Sequence, residues 1–553
     1  MKRINYSLII LFSIFISLLT ACSKSQESEV DINDEISSKD VDDSILTEPG
    51  EFPIVEEEVT LDVLIPSNSF VENFETNEFT KWYEEKTGVK INWEVVPEEG
   101  VEEQLNLILT SGDYPDVIMN MPVSPAQLRV YGEKGIFLSL NELIDKYGVQ
   151  TKKMFEEMPI IEDSITTPEG DIYALPQVNE CYHCTMPEKM WINKPWLDEL
   201  GLDMPTTTDE FYEVMKAFKD EDPNGNGEAD EIPLAGMKNS WREKITGFLM
   251  TPFIYSDIHE VGGEIIVPWD KPEWKEGLTY LNKMYEDGLI YEGSFTQDAE
   301  QFKKIGENPD ESILGAASAA TLLYFVSVED TSEDSRMLDY EAVPPLEGPE
   351  GNRLVYREPD PVTRPAEFII TNKAENPEVA FRWADAMYEH DITKRAVIGR
   401  KGEEWIDAEE GDVGLDGDDA TWKLNPGAGH GSVHNIHWDQ TGPSYRPKEF
   451  RVGEAVDPNE HGSILWRATE KYEPHISDTV NPLPKLFFSE EQSTELANVE
   501  SSLLDYVEEM EAKFITGDAD LDEDWDDYLE TLKSIGIDDY VNIYQAAYDE
   551  KYK

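Results

Sequence analysis

The sequence predicts an α/β protein of two large domains closed by a helical C-terminal region. Strand-like and helix-like segments alternate through the first part of the body. The 553-residue length exceeds what one core covers, since single cores stop growing near ~250–300 residues. A hydrophobic fraction of 39%, with 13 Trp, 24 Tyr and 21 Phe, can fill sizeable cores.

Val59-Thr-Leu-Asp-Val-Leu-Ile-Pro66 alternates as a strand does. A helix is expected over Glu75–Lys86, closed by Gly88, and a second strand over Val89–Val96. Glu102–Thr110 places Leu105, Ile108 and Leu109 on one helical face. Ser111-Gly-Asp-Tyr-Pro115 is a turn, and Asp116–Met119 a third strand. This order requires parallel pairing. Further on, Lys189–Asn193 reads as a strand, and Thr207 with Glu210 as a capping box for a helix running to Lys219. Glu367–Thr371 is another strand, followed by an aromatic-rich helix over Pro377–Tyr388. Near the C-terminus, Leu496, Val499, Leu503, Val507, Met510 and Phe514 repeat at helical spacing.

Charge narrows the function classes. The chain has 45 Lys+Arg against 117 Asp+Glu, a net charge of −72. Nucleic-acid binding and attraction to anionic membranes need clustered cations, so both are disfavoured. At the N-terminus, Lys2 and Arg3 precede an apolar run over Leu8–Leu19, too short and wrongly flanked for a membrane span. It reads as a secretory signal over residues 1–21. The run ends in Leu19-Thr-Ala-Cys22, which resembles a bacterial lipobox, with Cys22 lipidated after cleavage. Residues 23–58 hold thirteen acids and two Lys, and read with Cys22 as an acidic, disordered tether, 22–58.

Several stretches carry a family resemblance. They are Ser111-Gly-Asp-Tyr-Pro-Asp-Val-Ile118, Tyr173-Ala-Leu-Pro176, Trp191–Leu202, Asp222–Pro233, Phe381–Tyr388 and Tyr544-Gln-Ala-Ala-Tyr548. With the lipobox and tether, the chain resembles the family 1 extracellular solute-binding lipoproteins of ABC sugar importers, relatives of the alginate-oligosaccharide binders. The resemblance implies a two-lobed periplasmic-binding-protein-like fold of type II with a ligand cleft, and no catalysis. Scaled to that plan, the first lobe takes residues 59–170 and 344–410, and the second takes 171–343 and 411–553. The implied molecule is a monomer on the extracellular face of the cytoplasmic membrane, anchored through Cys22. It captures an oligosaccharide for ABC permease subunits. The alternatives are a surface-anchored hydrolase or lyase, and a binder of peptides or other small solutes.

Asp222-Pro-Asn-Gly-Asn-Gly-Glu-Ala-Asp-Glu231 spaces oxygen side chains as the opening of an EF-hand loop does, with Gly227 at its sharp turn. Pro233 stands where that loop has its bidentate Glu. The resemblance implies a compact variant, with structural Ca2+ held by Asp222, Asn224, Asn226, Asp230, Glu231 and the Glu228 carbonyl. Carboxylate donors suit a hard cation better than Zn2+. Cys181-Tyr-His-Cys184 reads as a local disulfide, with two free thiols as the alternative, rather than half a zinc site, because no second Cys pair exists. The histidines His430, His434 and His437 lack the H-E-x-x-H arrangement and read as polar loop residues.

A sugar cleft needs aromatic faces beside polar groups. Aromatics in polar, Gly-rich contexts are the candidates: Trp438 foremost, then Trp241, Tyr445 with Arg446, and His434. Asn68 and Asn120 follow, as loop residues after strand ends, where α/β clefts hold ligands. Tyr182 and His183 complete the set, from the implied path of the chain into the cleft.

Self-repulsion at −72 opposes compactness, and molar salt cuts the screening length to ~3 Å. We therefore expect the melting temperature to rise from low to molar NaCl in a salt series. The same field favours a neutral sugar over a uronate.

Overall fold

The computed structural model describes residues 45–238, 242–309, 311–328, 330, 332–425 and 433–553. The signal segment, Cys22, the tether up to residue 44, Trp241 and His430 lie outside the described residues. Strands are numbered in chain order: β1 Val59–Pro66, β2 Val89–Val96, β3 Val117–Met119, β4 Leu175–Asn179, β5 Met190–Asn193, β6 Ile232–Ala235, β7 His259–Val261, β8 Glu264–Ile266, β9 Leu314–Ser318, β10 Tyr340–Ala342, β11 Val362–Ile370, β12 Trp405–Asp407, β13 Trp422–Leu424, β14 Ser444–Arg446 and β15 Asn481–Pro482.

Two sheets organise two lobes. The first is six-stranded, ordered β14-β4-β11-β3-β1-β2. Within it β2, β1 and β3 run parallel, as do β4 and β14, while β11 lies antiparallel between the two groups. Side chains alternate across a strand, so each strand feeds two cores. Leu61, Val63 and Ile65 enter one core and Leu64 the other; Phe368 and Ile370 enter one and Ile369 the other. The second sheet is four-stranded, ordered β10-β5-β9-β6. Its core includes Trp191, Phe211, Phe218 and Phe248, and helix Glu490–Thr516 adds Leu503, Val507 and Phe514.

The chain passes between the sheets along three connections: 180–189 after β4, 343–361 before β11, and 447–460 after β14. A further tie comes from the last helix, Ile537–Tyr552, whose inner face packs in the second core. Near its end, Glu550 pairs with Arg129 of the first lobe at 2.7 Å, and the Tyr552 hydroxyl donates to Asp163 at 3.0 Å.

Several expectations need correction. β4 and β14 pair within the first sheet, so residues 171–179 and the stretch up to 446 belong to the first lobe, not the second. The end of the assigned tether is folded. Ile54 and Val55 are buried in the first core, and the Arg382 guanidinium donates to the Thr47 and Glu48 carbonyls at 2.5 and 2.8 Å. Apolar pairs outweigh acidic flanks there, because burying them offsets the ordering entropy. The first helix starts at Glu78 rather than Glu75, because the Asn77 side chain caps it by accepting the Phe79 N–H. Thr207 accepts the Glu210 N–H at 3.2 Å, but the Glu210 carboxylate turns to Thr206 at 2.8 Å, so the box closes one residue off.

Trp438 is a core residue, not a cleft platform. It is 1% exposed, its Nε1 donates to Thr80 Oγ1 at 2.8 Å, and its ring meets Phe79 and Trp93 edge-on at 4.7 and 5.4 Å. The polar, His-rich context belongs to the loop around it, while the indole turns inward to satisfy both its area and its N–H. Trp438→Ala is expected to cost about 3–5 kcal/mol in denaturant unfolding.

Candidate functional site

Parallel strands deliver their C-terminal ends to one edge of a sheet, and the loops beyond that edge enclose a crevice. Here β1, β3, β4 and β14 end together, and the three connections to the second lobe leave from or return to the same edge. A cavity of about 740 Å3 opens there. Its wall includes Asn68 and Phe70 beyond β1, Asn120 beyond β3, Gln177 on β4, Arg364 on β11, and Gln440.

Each polar group is oriented by the backbone behind it. Asn68 Oδ1 accepts the Phe70 N–H at 2.8 Å, and its Nδ2 donates to Thr441 Oγ1 at 3.0 Å. Gln177 Nε2 donates to the Gln440 and Gly442 carbonyls at 2.6 and 3.2 Å. Asn120 sits at φ 57° and Asp439 at φ 56°, left-handed conformations that cost energy for residues with a Cβ. The Asn120 N–H donates to the Glu367 carbonyl at 2.8 Å, while its Oδ1 is buried without a hydrogen-bond partner. An acceptor held this way suits a ligand hydroxyl. Phe70 is 39% exposed and offers the wall an aromatic face.

Glu367 lies under this wall, fully buried. Its Oε1 accepts the Gly442 N–H at 2.6 Å, and Oε2 lies 3.7 Å from Arg364 Nη1. Desolvation dominates, and lifts its pKa to about 7 against the pull of Arg364.

The other expected ligand residues are dispersed. Arg446 is 3% exposed; its Nη2 donates to Gln440 Oε1 at 3.1 Å, so it supports the wall from behind, and burial lowers its pKa to about 10. The Tyr445 hydroxyl donates to Glu157 at 3.1 Å and faces a separate cavity of about 540 Å3. The His434 backbone N–H donates to the Phe70 carbonyl at 2.9 Å, and its ring lies 3.9 Å from that of His437; it braces the Phe70 loop. Tyr182 packs its ring 4.3 Å from Trp466 and donates to Glu473 at 2.9 Å. His183 is driven to a pKa of about 3 by burial and by Arg451 and Lys189. Tyr182 and His183 are therefore not brought to the cleft. Phe70, Gln177, Arg364 and Gln440 were missed; only the position of Phe70 just after a strand end could have suggested one of them.

Cys181 and Cys184 form a disulfide. With His183 they make the one trio of His, Cys, Asp or Glu ligand atoms lying within 4.8 Å of one another among the described residues, and the disulfide removes both sulfurs as ligands.

The acidic loop lies between helix Thr208–Asp220 and β6. Asp222 accepts the Asn226 and Gly227 N–H groups at 3.1 and 2.9 Å. The Asn224 and Asn226 amides both donate to Asp230 Oδ1 at 3.2 Å. Gly225 and Gly227 take φ 72° and 80°, which tight turning requires. Glu231 Oε1 is buried without a hydrogen-bond partner, and its pKa is raised by desolvation and by Asp230 and Asp222. An orphaned carboxylate oxygen among like charges fits a hard divalent cation. The fit is incomplete, because the carboxylates Asp222, Asp230 and Glu231 do not close into one tight trio.

A strand-end crevice on the first lobe, at the edge from which three connections run to a second lobe, is the arrangement of a two-lobed solute-binding protein. Comparison agrees: the model of the bacterial extracellular solute-binding protein family matches residues 67–394, and the chain belongs to that family. It is 30% identical over 490 residues to the fructooligosaccharide ABC transporter substrate-binding protein FusA of Streptococcus pneumoniae serotype 4, covering 84% of this chain and 86% of that one. The structure of S. pneumoniae FusA with kestose superposes with a TM-score of 0.70 at 28% identity, over 89% of this chain and 99% of that one. An EF-hand mutant of FusA with fructo-nystose matches at TM-score 0.70 and 27% identity, over the same shares.

Glu367 also sets a pH dependence. Its folded-state pKa, about 7, lies above the ordinary 4.5, so its contribution to stability is full below 4.5 and is lost as pH rises through 7. Glu367→Gln is expected to match wild type near pH 5 and to melt roughly 2–4 °C higher at pH 9 in thermal scans.

Proposed function

We propose that this chain is the lipid-anchored capture subunit of an ABC importer, binding an oligosaccharide between its lobes and delivering it to permease subunits. The strand-end crevice carries the reading. It combines an exposed aromatic face at Phe70 with pre-oriented amides at Asn68, Asn120 and Gln177, and its edge is where the lobes connect. Lobe closure over such a crevice is the usual way two-lobed binders hold a solute. The FusA relative, which binds fructooligosaccharides by name, supports the ligand class. Leu19-Thr-Ala-Cys22 supports anchoring at Cys22 on the outer face of the cytoplasmic membrane. Among the described residues no helix is long and apolar enough to cross a membrane. The reading includes no catalysis, no nucleic acid, and a monomer.

Neutral fructo-, malto- and galacto-oligosaccharides, with oligogalacturonides beside them, form the test panel for thermal shift and calorimetry. Saturable stabilisation by a neutral member without product release supports capture; released fragments would support a hydrolase or lyase instead. Asn120→Gly, which keeps the left-handed backbone, is expected to weaken the best ligand by about tenfold, near 1.4 kcal/mol, with little change in the ligand-free melting temperature.

We further propose that the loop from Asp222 to Glu231 holds one structural Ca2+, through Asp222, Asn224, Asn226, Asp230, Glu231 and the Glu228 carbonyl. The ion would tie helix Thr208–Asp220 to β6. Calorimetry on EDTA-treated protein should show one calcium site, lost in Asp222→Ala together with part of the calcium-dependent rise in melting temperature. No calcium heat in the wild type would overturn this.

A further inference from the structure

The Cys181–Cys184 disulfide sits on the first connection between the lobes, just after β4. The Cα atoms are 5.2 Å apart, on a turn closed by the Cys184 N–H, which donates to the Cys181 carbonyl at 3.0 Å. His183 stands between the two, and its Nε2 lies 3.5 Å from Cys181 Sγ. Both sulfurs and one ring nitrogen fall within 4.8 Å of one another.

Bonds other than the disulfide hold the backbone that carries this trio. On the first-lobe side, the Glu180 N–H donates to the Arg446 carbonyl at 2.9 Å, and Glu180 Oε2 accepts the Lys448 N–H at 2.6 Å. Within the turn, Thr185 Oγ1 donates to the Tyr182 carbonyl at 2.7 Å. On the second-lobe side, the Tyr182 ring packs on Trp466, and the buried Lys189 ammonium donates to the His183 carbonyl at 3.0 Å. Opening the S–S bond therefore frees two side chains and leaves their turn in place. Both cysteines line a cavity of about 490 Å3 at the root of the lobe connections, which gives a small reductant and an ion a way in.

Thiolates bind metal ions where disulfide sulfurs do not. Two thiolates at C-x2-C spacing beside an imidazole make a nitrogen and sulfur donor set, which suits Zn2+ rather than the oxygen-seeking Ca2+ or Mg2+. Two thiolates and a neutral imidazole also balance the charge of Zn2+, so the neighbouring Lys189 and Arg451 cations do not oppose the complex. We propose that this turn is a redox-gated metal site: a dithiol reduces the bridge, and Cys181, His183 and Cys184 then take one Zn2+, with water from the cavity as the fourth ligand. In the first step the dithiol gives up two electrons and two protons and becomes a disulfide, while Cys181 and Cys184 become thiols. In the second, Zn2+ displaces both thiol protons to solvent. The site is separate from the strand-end crevice and does not depend on sugar capture.

The test uses the full chain carrying Cys22→Ser, so that only these two thiols can form, reduced with a dithiol and desalted without oxygen. Thiol titration confirms the reduction. Co2+ then reports sulfur ligation. Reduced protein should develop thiolate-to-cobalt charge-transfer absorption saturating at one ion per chain, and Zn2+ should abolish it. Unreduced protein should show none, because the oxygen donors of the 222–231 loop give no such band. Cys184→Ser should lose the band, and His183→Ala should weaken Zn2+ binding at least the ~10-fold that loss of even an outer partner costs. Thermal scans check that both variants keep the fold. No band in protein with both thiols free, a band that survives Cys184→Ser, or unchanged Zn2+ affinity in His183→Ala would overturn the site.

Discussion

Parallel pairing is the constraint on which the rest depends. A parallel sheet cannot be closed by tight hairpins, so each strand must be followed by an excursion that returns over a face. In the first lobe this brings β1, β3, β4 and β14 to one edge. Two excursions from that edge, after β4 and after β14, lead into the second lobe, and the return before β11 arrives there. The same edge therefore carries the crevice and the lobe connections.

The charge imbalance has a second side inside the protein. Cations are few against the acids, and several are spent on joints. Arg129 gathers Glu133, Glu169 and Glu550, tying the last helix to the first lobe. Arg382 fastens the chain start through carbonyls of residues 47 and 48. Arg242 clamps Tyr356 and Glu358 where the lobes meet. The Lys394 ammonium sits 3.7 and 4.0 Å from the Trp405 and Trp422 rings, fixing the β12–β13 hairpin to helix His390–Val397. Buried or half-buried cations with partners hold elements together, while the excess acid is left for the surface.

Much of the scaffold was legible because its signals are local. Alternation in Val59–Pro66 and Val89–Val96 sets strands directly, and the spacing of Leu496, Leu503, Val507 and Phe514 sets a helix face that the core confirms. Asn68 and Asn120 were legible for the same reason: a residue just past a strand end must lie at the sheet edge. Trp438, Tyr445 and Arg446 were not, because local polarity says nothing of which way a loop side chain turns. Gln177 and Arg364 carry no local signal at all; they reach the crevice because β4 and β11 are neighbours.

By itself, then, the sequence determined the class: α/β elements in order, an excess of acid, and a loop with the composition for a hard cation. Those properties follow from short-range periodicity and from composition, which need no knowledge of what lies across the molecule. Tertiary structure alone decided which side chains meet. It sent Trp438 into the core, placed β4 and β14 in the first lobe, and set Phe70, Gln177 and Arg364 around one crevice. The physical reason is that strand pairing across long sequence separations, fixed by burial of both sheet faces, sets those contacts.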